Sequence, residues 1–386
     1  MSDTTLSVTW LRSATEIAPS LWESCFPPPL EGRWWYTTLE RSHLDDQFTF
    51  FYGLVTLDNR MVAIAPTFLM DLPIGLVVPP NLLPLFNLLG KIFPSLLYQR
   101  TLFVGSPCAD EGQVGMLPGV DRLAVLRALQ EALRQQVRIH RASMLVWKDF
   151  PASFDADFAR LLPGSGLFPV VSFPGTLVDL PGESKAAYLA SLTGMRRHNL
   201  QKKLRRSAEQ VAIDIQVEQF PDTGTLDAVF ALFSQTYDKA KTRFERLGRP
   251  FFAQIATQPQ AHFIILREHG SGEMVAFMLC FAFDALVINK FIGIDYRRPK
   301  GWYLYFRLWE AVVDWAVARG AKAIQSGQTG YAAKIRLGHR LVALTNYAQH
   351  RNPLMHRIYA AVARTVGWQT LDDDLALHLK AHPDGE

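Results

Sequence analysis

Hydrophobic positions along the chain switch between two periods. In the C-terminal third, Leu304, Leu308, Val312 and Trp315 recur about one helical turn apart, which predicts a helix over 301–319 with Gly320 placed to stop it. Short apolar runs at 286–295 and 321–326 flank it and read as strands. Strand, glycine-containing turn, helix and strand in this order form a crossover unit, which sets a strand end beside a helix start. Upstream, a helix over 226–244 leads to strands at 262–267 and 274–281, joined by the turn Gly270-Ser271-Gly272.

The first half follows the same order. A helix-like segment at 34–41 precedes strands at 48–57 and 61–69 joined by the tight Asp58-Asn59 turn. A strand at 102–105, a helix over 121–140 and a strand at 143–147 follow. The hairpin turns at Asp58 and Gly270 are offset by about 212 residues, and the helix ends at His140 and Gly320 by about 180. The difference, roughly 30 residues, is close to the length of the apolar, Pro-rich stretch 73–98, which is therefore expected to be an insertion in the first of two tandem copies. Turn residues crowd 173–175 and 180–182, so the expected domains are 1–175 and 176–386, with a ligand cleft between them because no long linker intervenes.

Composition narrows the class. With 386 residues, 49% hydrophobic and 20% charged, the chain is long and apolar enough for two cores. A net charge of +4 is too weak a field to indicate nucleic acid by itself, so local clusters must carry that argument. Cys25, Cys108 and Cys280 are far apart and odd in number, which argues against a disulfide framework or a zinc cluster and fits a reducing cytoplasm. The first residues lack the basic and apolar segments of a secretory signal. Pro73, Pro79, Pro80, Pro84, Pro94 and Lys91 break the 73–98 stretch too often for a spanning helix, though contact with the inner membrane surface fits it.

Two features carry chemistry. The strand ending in Gly293-Ile294-Asp295 runs through Arg298-Pro299-Lys300-Gly301 into the long helix, a turn that aims backbone N–H groups and the positive helix end at one point, as a pyrophosphate requires. The run Arg196 to Arg206 holds six Lys or Arg residues in eleven positions, with Leu200 and Leu204 spaced to dock one helical face. Its other face would present Arg196, Arg197, Lys202 and Lys203 to tRNA phosphates, a lipid-linked pyrophosphate or an anionic membrane. The comparable turn of the first half, Gly105 to Gly112, carries Asp110 and Glu111, which repel phosphate, so this copy is expected to have lost donor binding.

Arg298-Pro299-Lys300-Gly301-Trp302-Tyr303 resembles the Arg/Gln-x-x-Gly-x-Gly/Ala loop of GNAT-fold acyltransferases, with Tyr303 where that family has a small residue. Gly327 to Gly338 resembles the Lys-x-x-x-Gly segment of the Fem-like branch, and the segments 191–200 and 236–252 are similar to it as well. The resemblance implies two tandem GNAT-like α/β domains, each a mixed sheet flanked by helices. It further implies transfer of an acyl or aminoacyl group from acyl-CoA or aminoacyl-tRNA to an amine acceptor in the cell envelope or on a lipid-linked precursor. Arg298, Lys300, Gly301 and Trp302 would then hold the donor. Lys334 would lie at the donor's acyl group, where positive charge stabilises the oxyanion. Proton removal falls to Asp295, at its strand end, or to water, and Tyr331 is placed to order substrate or protonate the leaving group. No metal or tightly bound cofactor is implied. A second reading keeps the scaffold without catalysis, as a GNAT-like binding protein that uses the basic helix and the apolar stretch as a platform on membrane or nucleic acid.

Overall fold

The computed structural model describes residues 6–73, 88, 91, 97–240 and 244–381. Apart from its ends, where Pro73 pairs with Tyr98, the expected insertion at 73–98 lies almost wholly outside the described residues. The chain forms two compact units, one of Met1–Glu40, Leu44–Phe173 and Ala343–Ala376, the other of Arg41–His43, Pro174–Val342 and Leu377–Glu386. Each is built on one mixed sheet flanked by helices, as expected for tandem GNAT-like domains.

In the first unit β1 (Leu6–Leu11), β2 (Thr49–Leu57), β3 (Arg60–Pro73) and β4 (Tyr98–Val104) run antiparallel in sequence order, with β5 (Gly115–Met116) paired to β3. Asp58 and Asn59 both take positive φ, the geometry that lets a two-residue loop follow the strand twist from β2 into β3. Between β1 and β2 lie α1 (Pro19–Cys25) and α2 (Arg33–Glu40). The crossover helix α3 (Arg122–Ile139) starts where the Asp121 carboxylate accepts from the Ala124 N–H at 3.1 Å, and buries Leu126, Leu129 and Leu133 on the sheet. It delivers β6 (Met144–Pro151) parallel to β4, and α4 (Asp155–Ser165) and β7 (Phe168–Val171) follow.

The second unit orders its strands β14-β8-β13-β12-β11-β10-β9. These are β8 (Gly175–Asp179), β9 (Ile213–Glu218), β10 (Ala261–Glu268), β11 (Met274–Ala282), β12 (Leu286–Ile294), β13 (Ala323–Ser326) and β14 (Arg340–Val342). Its helices are α5 (Lys185–Ser191), α6 (Gly194–Gln210), α7 (Thr223–Lys239), α8 (Arg249–Ile255), α9 (Leu304–Ala318) and α10 (Tyr331–Arg336). Leu308, Val312, Val313 and Ala316 of α9 are fully buried in one cluster with Ile264, Leu266, Val275 and Cys280 of the sheet. On α7, Phe233 joins Phe251, Phe252 and Phe291 in an aromatic layer. A Cβ on Gly293 would lie 2.7 Å from the Leu232 and Phe233 backbone, so α7 settles onto β12 only because that position lacks a side chain.

After β14 the chain re-enters the first unit. Strand β15 (Leu344–His350) inserts between β6 and β7, antiparallel to both, and the helix α11 (Pro353–Ala363) packs behind it. The first unit therefore includes 343–376 as well as its N-terminal segments. Tyr347 holds the strand in place by stacking on Phe158 with ring centroids 3.7 Å apart. No described helix is long and apolar enough to cross a membrane.

Candidate functional site

The parallel pair β12 and β13 sets the frame of the site. Asn289 of β12 lies level with Ser326, the last residue of β13. Beyond Ser326 the chain turns through Thr329 and Gly330, both at positive φ, into α10. The turn brings Lys334 back over the strand end. Its ammonium donates to three successive carbonyls, Ser326 at 2.9 Å, Gly327 at 2.8 Å and Gln328 at 3.3 Å. An ammonium has three hydrogens, and this rosette matches them one for one.

Beneath the ammonium runs a buried polar chain. His339 Nδ1 lies 2.9 Å from the Lys334 carbonyl, which can only accept, so Nδ1 carries the proton. Nε2 then accepts from the Ser326 hydroxyl at 3.1 Å. That hydroxyl accepts from Asn289 Nδ2 at 3.0 Å, and Asn289 Oδ1 accepts from the Cys280 thiol at 3.0 Å. Burial, and then the Lys334 charge, push the His339 pKa down to about 3. The imidazole is thus neutral, and burial pushes the Cys280 thiol up so that it stays protonated. Thr176 adds a short hydroxyl contact to the Ser326 carbonyl.

The sequence singled out Lys334 and missed Ser326, His339, Asn289, Cys280 and Thr176. The available signal was the position of His339 directly after the Lys-x-x-x-Gly segment, where a residue just past a short helix can bond back to its carbonyls. Tyr331 is fully buried on α10, and its hydroxyl donates to the Pro174 carbonyl at 2.9 Å, which ties the start of α10 to the start of β8.

Asp295 lies six residues past Asn289 along β12, about 20 Å at about 3.3 Å per residue, so it belongs to a different part of the unit from the Lys334 rosette. It is 2% exposed, and both carboxylate oxygens accept from Arg297, at 2.8 and 2.9 Å, with Arg298 Nε at 3.2 Å. The hydrogen bonds from Arg297, together with those from Arg298, hold its carboxyl below the ordinary carboxylate range. Arg298 also reaches Glu268 at 3.0 Å and makes a short contact to Glu273. Its charge is therefore already met by three carboxylates.

Lys300, Gly301 and Trp302 form a short 3-10 turn that α6 covers. Ser207 donates to the Trp302 carbonyl at 2.6 Å. The space left open at Gly301 is filled by the flexible end of Gln210, which would lie 2.3 Å from a Cβ there. Tyr303 begins α9 in the left-handed conformation. The structure thus gathers Arg298, Lys300, Gly301 and Trp302 at one turn, closed by the chain's own side chains.

The basic run forms α6, capped by Thr193 and docked through buried Leu200 and half-buried Leu204. Among the described residues Arg196, Lys202, Arg205 and Arg206 make no ion pair, and Arg197 bonds only the Ala190 carbonyl at 3.5 Å. Lys203 lies over the Phe306 ring at 3.7 Å. Burial, and then Arg336 on the Lys334 helix, lower its pKa, so α6 and α10 bring their cations within electrostatic reach of one another. From α5, Tyr188 donates to the Leu337 carbonyl just past α10 at 2.9 Å.

In the first unit, the counterpart turn from Gly105 to Ala109 is buried, and the Trp35 indole donates to Ser106 at 2.9 Å. Cys108 is buried there, and Lys148 forms a short ion pair with Asp149.

Residues 118–366, well over half of the chain, match the profile of the FemAB-like family, described as peptidoglycan biosynthesis/recognition. The chain belongs to the FemAB-like family. The match runs through the second unit and on through the returning strand β15, so it covers the Lys334 rosette and the basic helix together.

Solved structures agree on the fold. FemX is 10% identical with a TM-score of 0.57, over 91% of this chain and 100% of its own. A tandem GNAT protein from the clavulanic acid biosynthesis pathway is 13% identical with a TM-score of 0.50, over 90% of this chain and 99% of its own. At such identities the likeness concerns the fold. No curated protein matches the sequence.

Proposed function

We propose that this FemAB-like protein transfers an aminoacyl group from aminoacyl-tRNA to an amine of a cell-envelope precursor, with Lys334 at the reacting carbonyl. The observation that carries the choice of donor is a contrast in charge. The arginine of the pyrophosphate turn, Arg298, is neutralised by Asp295, Glu268 and Glu273, whereas most cations of α6 make no ion pair among the described residues and meet the Lys334 helix at Lys203 and Arg336. A polyanion such as tRNA fits the second arrangement better than acyl-CoA fits the first.

In the proposed step the acceptor amine attacks the carbonyl carbon of the aminoacyl ester. A C–N bond forms, the carbonyl oxygen gains charge, and the C–O bond to the ribose then breaks. The Lys334 ammonium exchanges its longest contact, to Gln328, for the developing oxyanion. The proton lost by the amine passes through water to the departing ribose oxygen. Asp295 is held ionised in its ion pairs, and the Tyr331 hydroxyl is engaged by Pro174, so we assign these two residues to positioning. Arg196, Arg197, Lys202 and Lys203 bind phosphates of the donor or of a lipid-linked acceptor, while Lys300, Gly301 and Trp302 join α9 to α6.

Thermal unfolding with CoA, acyl-CoA and charged tRNA tests the choice of donor. A ligand at a hundredfold excess over its dissociation constant contributes about 2.7 kcal/mol, a shift of several degrees. A shift with charged tRNA alone supports the proposal. A shift with acyl-CoA alone returns the donor site to the Arg298 turn. Silence with every donor leaves the non-catalytic platform, the reading that the neutralised Arg298 also favours.

A further inference from the structure

The first unit holds a cationic cleft that the transfer reading leaves unused. Leu145 of β6 pairs with Gln349 of β15, and the Arg351 N–H carries that pairing on to the Ser143 carbonyl at 2.8 Å. Strand alternation puts Gln349 and Arg351 on one face of the sheet, the face that α3 covers, since Leu145 shares a buried cluster with Leu129 and Leu133. Arg134 and Arg138 lie one turn apart on α3. Helix and strand together bound an open cleft of about 250 Å³, floored by Val137 and Leu145 and lined by Arg134, Arg138 and Arg351. His350 turns its ring to the opposite face, where it stacks on Tyr359 with centroids 5.5 Å apart.

One wall of the cleft is fixed by the fold. Arg134 donates to Glu131 at 3.2 Å and makes a short bond to the Ser165 carbonyl. Buried Gln130 donates to the Gln349 side-chain carbonyl at 3.0 Å and accepts from the Trp147 indole at 2.9 Å. A Cβ on Gly166 would lie 2.6 Å from the Gln349 amide nitrogen, so this wall closes only because that position lacks a side chain. Among the described residues Glu131 is the one acid of the lining, and Arg134 meets it. Arg138 and Arg351 make no ion pair and no side-chain hydrogen bond among the described residues, so two positive charges remain on the cleft.

We propose that this cleft binds a small phosphate monoester, with Arg138 and Arg351 holding the phosphate and the apolar floor of Val137 and Leu145 taking the carbon group that bears it. Guanidinium groups present N–H forks that match phosphate oxygens. A monoester carries about −1.5 to −2 charge at pH 7, which two free arginines meet. Each diester phosphate of a nucleic acid or a phospholipid carries a single negative charge and fits the pair less well. The site lies within the first unit, shares no residue with the basic helix α6 and does not rest on the transferase reading.

Isothermal titration calorimetry of the full chain with inorganic phosphate, phenyl phosphate and dimethyl phosphate tests it. We expect saturable binding of the first two, tighter for phenyl phosphate because its ring covers the apolar floor, and none of dimethyl phosphate. Arg138→Gln and Arg351→Gln should each weaken the binding of phenyl phosphate at least about tenfold. Both side chains are exposed, and an unchanged thermal unfolding curve confirms that the variants fold. Binding that survives both substitutions overturns the proposal, because the phosphate is then held elsewhere on the chain. Dimethyl phosphate bound as tightly as phenyl phosphate overturns it too. So does the absence of phenyl phosphate binding, and if the same two variants then lose binding of tRNA, the cleft belongs to a polyanion of diesters instead.

Discussion

His339 Nε2 accepts from the Ser326 hydroxyl across 3.1 Å, because its Nδ1 proton is already committed to the Lys334 carbonyl. One imidazole thus ties the end of β13 to the helix that carries the lysine. It can do so only when neutral, since a protonated ring would aim a second N–H at a hydroxyl that must then rotate away from its acceptor.

Stability should therefore depend on pH through His339. An unfolded imidazole takes a proton below about pH 6.5, while the folded one does so only near pH 3. Across that window the unfolded state binds more protons, so stability is full above about 6.5 and falls as pH drops, by on the order of 4 kcal/mol at the low end. Denaturant midpoints measured from pH 7 to 4 should show this slope, and His339→Gln should flatten it. A slope unchanged in the variant would assign the effect to other groups.

Lys334→Met should abolish transfer and also destabilise the fold by about 2 kcal/mol, because the carbonyls of Ser326, Gly327 and Gln328 lose their shared donor. Lys334→Arg should not rescue turnover, since a planar guanidinium cannot match a three-carbonyl rosette. Single-turnover transfer and urea unfolding on the same preparations separate the two effects. Full turnover in Lys334→Met would remove this residue from the reaction.

Neutralising Lys202, Arg205 and Arg206 with Gln should weaken binding of tRNA while leaving stability within about 0.5 kcal/mol, since none of the three makes an ion pair among the described residues. The slope of log affinity against log salt should shrink by about 0.7 to 0.9 for each phosphate that a removed cation had neutralised. An unchanged slope would make α6 a solvated face only.

Arg298→Gln should act on stability and not on donor affinity. It leaves Asp295, Glu268 and Glu273 without the cation they share, at a cost of about 1–3 kcal/mol. Calorimetry of acyl-CoA binding on both proteins decides the matter: a large loss of affinity in the variant would restore Arg298 to the donor site.

A chain ending at residue 175 should not yield a soluble first unit. Without β15, the edges of β6 and β7 lose their partner and are left to pair with other chains. Within the full chain, Tyr347→Ala should cost about 3–5 kcal/mol by removing the ring stacked on Phe158. Size-exclusion profiles and thermal unfolding read the two outcomes.

Local physics made much of this protein legible from its sequence. The helices Arg122–Ile139 and Leu304–Ala318 follow from apolar spacing and end signals, and the β2–β3 hairpin from Asp58-Asn59, because periods and turn chemistry act over a few residues. Those elements, in order, were enough for two tandem α/β halves, the mixed sheets being what the resemblance implied, and the basic run was enough for a docked cationic helix. Tertiary structure alone decided the rest, since the decisive partners lie far apart along the chain. Strand β15 pairs with β6 across nearly two hundred residues, and nothing within Leu344–His350 signals which sheet it joins. Two of the three acids that neutralise Arg298 come from either side of the β10–β11 turn. Cys280, Asn289, Ser326 and His339 sit on three strands and a loop, and become one buried polar chain only when sheet register levels them, because a buried polar group must find its partner wherever the fold brings one.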